Sequence, residues 1–199
     1  MSGKGEHCSL LDADDCVMVV IDVQDAFLSR LPRQDSEGLL NTVCWLVVVA
    51  QWIRIPLVVT AEEMCKQPLA ARLADTLAGD TPVFDKVSFG LTQQPNILAA
   101  VRQTGRQTAI LVGLETDVCV MQSAIGLLEQ GYRVAVVGDA TDTGSPGKEM
   151  SWSRMQSAGV IMVSAKGLFY EWLRDVETVN RFHRELPNMR SRSRGILYP

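Results

Sequence analysis

Six short runs of apolar, often β-branched residues recur along the chain and constrain its fold more than any other feature. The runs are continuous rather than alternating, so each predicts a strand buried on both faces, as in a parallel sheet. Predicted strands cover 17–22, 55–60, 82–84, 109–114, 133–140 and 160–165, and helical patterns lie near 36–53, 68–78, 94–104, 118–130 and 147–157. This alternation predicts an α/β fold: a three-layer α/β/α domain with right-handed crossovers and a six-stranded, mostly parallel sheet.

The domain limits follow from length and local polarity. A chain of 199 residues suits one domain. We predict a flexible tail over 1–14, a single domain over 15–186 and a C-terminal tail over 187–199. Residues 39–59 are apolar over membrane-spanning length, but Asn41, Gln51, Arg54 and Pro56 interrupt them. That stretch therefore predicts a buried helix followed by a buried strand, and we expect no membrane partner.

Composition narrows the possible partners further. Lysine and arginine total 19 against 23 acidic residues, a net charge of −4, which does not favour nucleic acid as a partner. Five scattered cysteines and a polar N-terminus favour a reducing compartment, so we expect a cytoplasmic location. Histidine occurs only at positions 7 and 183. The sequence therefore argues against a histidine-based metal site and against a His-dependent triad. We expect no metal and no cofactor.

The chemistry of a parallel sheet is expected at the carboxyl ends of its strands. Cys119 lies there, in the predicted first turn of a helix that Thr116 or Asp117 caps. The positive end of that helix favours a thiolate, and its N–H groups can hold an oxyanion. The alternative is that Cys119 is a small apolar core residue.

Two further residues at strand ends are candidates for the same site. Asp22 ends the first predicted strand and could act as a base, or it could simply cap a turn. Lys86 follows the third predicted strand and could keep Asp22 ionised and stabilise a thiolate, or it could be a surface lysine. Phe27, Cys65 and Phe89, in the segments that follow the first three strands, are candidate substrate-binding residues.

Taken together, these positions resemble the isochorismatase-like cysteine hydrolases, which include nicotinamidases, N-carbamoylsarcosine amidases and isochorismatases. The segment VVIDVQDAF resembles the family's first-strand motif, FDKVSFG its lysine segment and GLETDVCVMQSA its nucleophile motif; DATDTG resembles the segment after the fifth strand. The resemblance covers roughly residues 15–175 and implies a catalytic set of Asp22, Lys86 and Cys119. It also implies a cis peptide bond at Leu114–Glu115 and an oxyanion hole formed by the backbone N–H groups of Glu115 and Cys119.

The family resemblance leaves the substrate and the reaction open. No histidine lies between His7 and His183, so the metal site of the nicotinamidases is absent from the sequence and nicotinamide is a poor candidate. The resemblance favours a small-molecule hydrolase that cleaves an amide-type C–N or related acyl bond through a thioester, in a homo-oligomer. The alternatives are a vinyl-ether hydrolase, for which Cys119 is dispensable, and a redox-sensing or assembly module. Four aromatic residues could be interface anchors or core residues: Trp152, Phe169, Tyr170 and Trp172.

Overall fold

Six parallel strands form one sheet at the centre of the computed structural model, which describes residues 10–189 and residue 196. The spatial order is β3-β2-β1-β4-β5-β6, and every pair of neighbours is parallel. The strands are β1 (Cys16–Ile21), β2 (Leu57–Glu62), β3 (Val83–Lys86), β4 (Thr108–Leu114), β5 (Arg133–Asp142) and β6 (Ile161–Val163). The predicted six-stranded parallel sheet is confirmed. Because the chain order reverses between β1 and β4, the carboxyl ends of these strands flank a crevice where such folds bind ligands.

Helices cover both faces of the sheet. They are α1 (Asp25–Leu28), α2 (Arg33–Trp52), α3 (Ala71–Thr76), α4 (Pro95–Gln103), α5 (Met121–Glu129), α6 (Lys148–Ser157), α7 (Ala165–Leu173) and α8 (Val176–Glu185). The side chains of β1 alternate between two apolar cores. Met18 belongs to the core that contains residues of α2, α3, α7 and α8, and Val19 to the core that contains residues of α4, α5 and α6. Residues buried on both faces explain why the strand runs are continuous rather than alternating.

Several strand ends differ from the sequence prediction. β2 starts and ends two residues later than predicted, and β3 extends to Lys86, because Glu62 pairs with Lys86 in the ladder. β6 is shorter than predicted, since the Ser164 hydroxyl accepts the Gly167 N–H and caps α7. Lys86 is therefore the last residue of a strand rather than part of the following loop.

The packed domain begins earlier than residue 15. Leu11, which the sequence assigns to the N-terminal tail, is buried, and its N–H donates to the Glu171 carboxylate at 2.6 Å. Met189 and Ile196, assigned to the C-terminal tail, pack against the core that contains α2. The rest of the two predicted tails, residues 1–9, 190–195 and 197–199, lies outside the described residues.

The aromatic residues of the C-terminal half divide between core and surface. Phe169 and Trp172 are buried, and the Phe169 ring lies 5.0 Å from the Trp45 ring. Trp152 is half-buried and Tyr170 is exposed. Phe169 and Trp172 therefore serve the core within one chain. In the part of the chain that the structure covers, no helix is long and apolar enough to cross a membrane.

One glycine lets the two central strands end close together. Gly113 lies in β4 opposite Ile21 and has a φ of 119°. A Cβ placed on Gly113 would lie 2.0 Å from the carbonyl oxygen of Ile21, so no other residue fits there without a backbone shift. This close approach sets the end of β1 beside the turn that follows β4.

Candidate active site

Asp22, Lys86 and Cys119 come together at the carboxyl edge of the sheet. The Lys86 ammonium lies 2.9 Å from Oδ2 of Asp22 and 3.4 Å from Sγ of Cys119. Asp22 immediately follows β1, Lys86 ends β3, and Cys119 lies in the turn after β4. Three residues that are far apart in sequence thus form one acid–ammonium–thiol cluster.

The cluster is shielded from water. Asp22 and Lys86 are fully buried, and Cys119 is 4% exposed. Burial raises the pKa of the Asp22 carboxyl above its usual range, although the Lys86 ammonium opposes this. The pKa of the Cys119 thiol is raised to about 12. Burial is the main cause, and the negative charge of Asp22 is the second. A raised carboxyl pKa makes Asp22 a stronger base, and a raised thiol pKa keeps the resting sulfur protonated.

Neighbouring polar groups fix the acid and the ammonium. The Thr60 hydroxyl at the β2 edge of the site donates to Oδ1 of Asp22 at 2.7 Å. The Lys86 ammonium also donates to the carbonyl oxygens of Ser88 at 2.8 Å and Phe89 at 3.3 Å. The backbone of Asp22 lies in the left-handed region, with a φ of 50°, which is uncommon for a residue other than glycine. Sequence reasoning missed Thr60, whose only signal is its position at the end of a predicted strand.

The turn that carries Cys119 differs from the predicted helix start. Residues Thr116–Val120 form a π-helical turn before α5, and Glu115 is its N-cap. The prediction that Thr116 or Asp117 caps the helix is wrong, because both lie inside the turn; the Asp117 carboxylate instead accepts the Ser145 hydroxyl at 2.6 Å. The Leu114–Glu115 peptide bond is cis, as the family resemblance implies.

Burial and the adjacent Asp22 carboxylate raise the pKa of the Cys119 thiol to about 12, and both therefore oppose the thiolate that the helix end favours. The thiol therefore needs a proton acceptor at the moment of attack, and the adjacent Asp22 carboxylate is the candidate.

The three candidate substrate-binding residues have different environments. Phe27 is buried, with the guanidinium of Arg30 above its ring at 4.7 Å. Phe89 is exposed, and its carbonyl oxygen contacts Lys86. Cys65 is half-buried, and its sulfur accepts a hydrogen bond from Nε2 of Gln24 at 2.9 Å. Their contact with a substrate stays a prediction.

Gln24 is a second residue that sequence reasoning missed. Its fully buried side-chain amide accepts the Glu62 N–H at 2.7 Å and donates to the Gln67 carbonyl at 2.5 Å. It thereby ties the loop after β2 to the segment after Asp22. The only signal was its place in VVIDVQDAF, two residues after Asp22.

The polar residues at the end of β5 bind neighbouring segments. Oδ1 of Asp139 accepts the N–H of Ala165, and Asp142 pairs with Lys148 at 3.1 Å. Across residues 10–189 and 196, no group of three or more His, Cys, Asp or Glu side chains is placed to hold a metal ion. The triad itself contains an ammonium, which would repel a cation at that point.

Fold and site together define a parallel α/β protein with a buried cysteine, acid and lysine at the carboxyl edge of its sheet. The sequence model of the Isochorismatase domain matches residues 16–166, most of the chain, and the protein belongs to that family. The resemblance predicted from the motifs is thus confirmed.

Known proteins of similar sequence and structure agree with this assignment. The chain is similar to "Probable hydrolase YcaC" of Escherichia coli, with 27% identity over 91% of each chain. The crystal structure of the E. coli YcaC gene product, described as an octameric hydrolase of unknown specificity, superposes with a TM-score of 0.79 and 26% identity over 92% of this chain and 93% of that one. A structure named MAR1 ribonuclease from Caenorhabditis elegans has a TM-score of 0.80 and 26% identity over 91% and 92% of the two chains.

Proposed function

We propose that this isochorismatase-family hydrolase cleaves an amide-type C–N bond, or a related acyl bond, in a small molecule. Cys119 is the nucleophile and Asp22 is the base. The Lys86 ammonium stabilises the negative charge that Asp22 and Cys119 carry in turn. The observation that carries the proposal is the position of one buried ammonium, 2.9 Å from the acid and 3.4 Å from the sulfur.

The first step is acyl transfer to sulfur. Asp22 takes the Cys119 proton as the sulfur attacks the carbonyl carbon, so no free thiolate has to persist in the resting site. The negative charge moves to the carbonyl oxygen, where the N–H groups of Glu115 and Cys119 are the proposed donors. The C–N bond then breaks, the amine leaves with the proton from Asp22, and a thioester remains.

The second step returns the enzyme to its resting state. Asp22, again ionised, takes a proton from water as the water oxygen attacks the thioester carbonyl. When the C–S bond breaks, the sulfur recovers the proton and the acid product leaves. The same carboxylate is thus base, acid and base again, which suits a group whose pKa is raised above its usual range.

Lys86 makes this sequence possible at a buried site. A buried carboxylate next to a forming thiolate would be strongly disfavoured without a positive charge. The ammonium faces both groups and also contacts the carbonyl oxygens of Ser88 and Phe89. Lys86 therefore stabilises the negative charge wherever it lies on the Asp22–Cys119 pair.

A panel of small aliphatic and aromatic amides tests the proposal. Rapid acid quench and intact-mass spectrometry should reveal an acyl adduct on Cys119 that hydroxylamine removes, as a thioester requires. Cys119→Ala and Cys119→Ser should lower hydrolysis by at least about 10⁴-fold, because the nucleophile acts as a unit with its base. Cys44→Ala, which removes a buried thiol from α2, is the matched control and should keep wild-type activity.

The same panel separates the other reactions. If Cys119→Ala hydrolyses a substrate at the wild-type rate, this result would contradict the assignment of Cys119 as nucleophile and favour vinyl-ether hydrolysis. An RNA oligonucleotide belongs in the panel because one similar structure is named a ribonuclease. The net charge of −4 does not favour the binding of a polyanion, so we expect the RNA to remain intact.

We further infer a homo-oligomer in a reducing compartment such as the cytoplasm. The similar E. coli protein is an octamer. Among the described residues, the cysteines at 16, 65 and 119 are free thiols. Light scattering of the purified protein tests the first inference, and mass spectrometry of the thiols in cell extracts tests the second.

A further inference from the structure

Arg30 contacts Glu115, the residue that precedes the nucleophile turn. Its Nη1 lies 3.1 Å from Oε1 and 3.0 Å from Oε2 of Glu115, 85 positions away in sequence. The ring of Phe27 lies under the guanidinium at 4.7 Å. The guanidinium is thus held by a carboxylate on one side and an aromatic face on the other.

Glu115 connects this ion pair to the nucleophile. Its carbonyl oxygen accepts the N–H groups of Val118 at 3.2 Å and Val120 at 3.1 Å, the two neighbours of Cys119. Its own N–H is one of the two donors assigned to the oxyanion. A rotation of Glu115 would therefore displace a donor and the turn that carries the sulfur.

The loop after β5 holds the same region from the other side. A Cβ on Gly144 would lie 2.9 Å from the carbonyl oxygen of Arg30, so this loop packs directly on the Arg30 backbone. The Ser145 hydroxyl in that loop donates to the carboxylate of Asp117 in the nucleophile turn. Arg30 is thus part of a junction between three segments.

We propose that Arg30 is a positioning residue, which holds Glu115 so that its N–H points at the oxyanion. This inference rests on the proposed acyl-transfer function. Both carboxylate oxygens of Glu115 are engaged by the guanidinium, so Arg30 acts through Glu115. The ion pair is partly exposed, with the Arg30 side chain 51% and the Glu115 side chain 17% accessible, so its loss should affect geometry more than folding.

Two reagents test the oxyanion donors and the reactivity of the sulfur independently of each other. Propionaldehyde adds to the thiol: an S–C bond forms, the carbonyl electron pair moves to oxygen, and that oxygen takes the thiol proton. This adduct uses the oxyanion donors. Iodoacetamide forms an S–C bond with loss of iodide and needs no such donors. Bound propionaldehyde protects Cys119 from iodoacetamide. Mass spectrometry of the tryptic peptide that contains Cys119 measures this protection and gives the dissociation constant of the aldehyde.

Arg30→Gln should weaken propionaldehyde binding about tenfold or more, because misplacing a preorganised donor has effects of this size. Alkylation by iodoacetamide alone should stay within about twofold of the wild-type rate. Arg30→Lys keeps the charge and should recover part of the affinity. Arg33→Gln is the matched control, since it breaks the exposed Arg33–Glu37 pair outside the site and should change neither measurement.

The outcomes distinguish this inference from the function on which it rests. Wild-type aldehyde affinity in Arg30→Gln overturns the positioning role and leaves the nucleophile assignment intact. A parallel loss of aldehyde binding and alkylation, with a lowered melting temperature, also overturns it, because the role would then be one of folding. A wild-type protein that propionaldehyde does not protect lacks the oxyanion site, and both proposals fail.

Discussion

Replacing Asp22 with Asn should separate the ionisation of Cys119 from hydrolysis. In the wild-type protein, burial and then the Asp22 charge raise the pKa of the thiol to about 12, and the Lys86 ammonium lowers it only in part. Asparagine removes the negative charge and keeps the shape of the side chain. The thiol should therefore ionise at lower pH, because the ammonium is no longer opposed by a carboxylate.

The size of the effect follows from the charges. With a thiol pKa of about 12, roughly one sulfur in 10⁴ is a thiolate at pH 8. A like charge in direct contact accounts for about one to three pKa units. Alkylation of Cys119 at pH 8 should accordingly rise by about 10-fold or more in Asp22→Asn. Hydrolysis should fall by about 10²–10⁴-fold, since the variant has no group that can accept and return the proton.

The assay compares two rates on the same protein. Iodoacetamide alkylation of the Cys119 peptide is followed by mass spectrometry across a range of pH, and amide hydrolysis is measured in parallel. Asp25→Asn, which neutralises an exposed carboxylate in α1, is the control and should leave both rates unchanged. If alkylation of Asp22→Asn falls together with hydrolysis, the reasoning is refuted, because Asp22 would then promote the thiolate in the resting state.

Three further substitutions test the charge balance of the site and the packing of the fold. Lys86→Met leaves the buried Asp22 carboxyl without its cation and should cost about 3–5 kcal/mol in urea unfolding. Because the Lys86 ammonium lowers the pKa of the buried Asp22, its removal raises that pKa further and the folded variant binds more protons than the folded wild type. The loss should therefore grow as pH rises above the ordinary carboxyl range. Gly113→Ala should prevent folding or cost more than about 4 kcal/mol, since its Cβ meets the Ile21 backbone. Phe169→Ala should cost about 3–5 kcal/mol and leave the oligomeric state, measured by light scattering, unchanged.

Each of these substitutions has a matched comparison. The Lys86→Met loss should shrink when Asp22→Asn is added, and a loss that is independent of pH would contradict the electrostatic explanation. Gly105→Ala, at a φ of 70° with no atom within 4 Å of its Cβ, should cost only about 1 kcal/mol in the same assay. Dissociation of the oligomer by Phe169→Ala at unchanged stability would place this ring at an interface instead of the core.

The sequence predicts the architecture because burial leaves a strong local signal. Each strand of this sheet is covered on both faces, so its residues form an uninterrupted apolar run that is visible in a single sequence. Strand ends are less visible: β3 extends to Lys86 through its pairing with β2, and no local pattern encodes that partner. The order of the strands likewise depends on contacts between distant segments.

The site is predictable to the extent that its chemistry lies in short motifs. Asp22, Lys86 and Cys119 each end a recognisable segment, and parallel topology brings such ends to one edge. The charge state of the thiol was not predictable in the same way. The sequence shows a cysteine near a helix end, whereas its pKa depends on how much water and how many anions surround the folded sulfur.

The residues that position the site, Gln24 and Arg30, are the hardest to identify from the sequence. Gln24 ties the loop after β2 through hydrogen bonds across about 40 positions, and Arg30 meets Glu115 across 85. Each is a polar residue in a loop or at a strand end, where polar residues are ordinary, and only the partner gives it a role. Because the proposed oxyanion donor belongs to the backbone of Glu115, its direction depends on such contacts, including the one that its own carboxylate makes with Arg30. Variants of Arg30 consequently test a part of the site that motif comparison does not reveal.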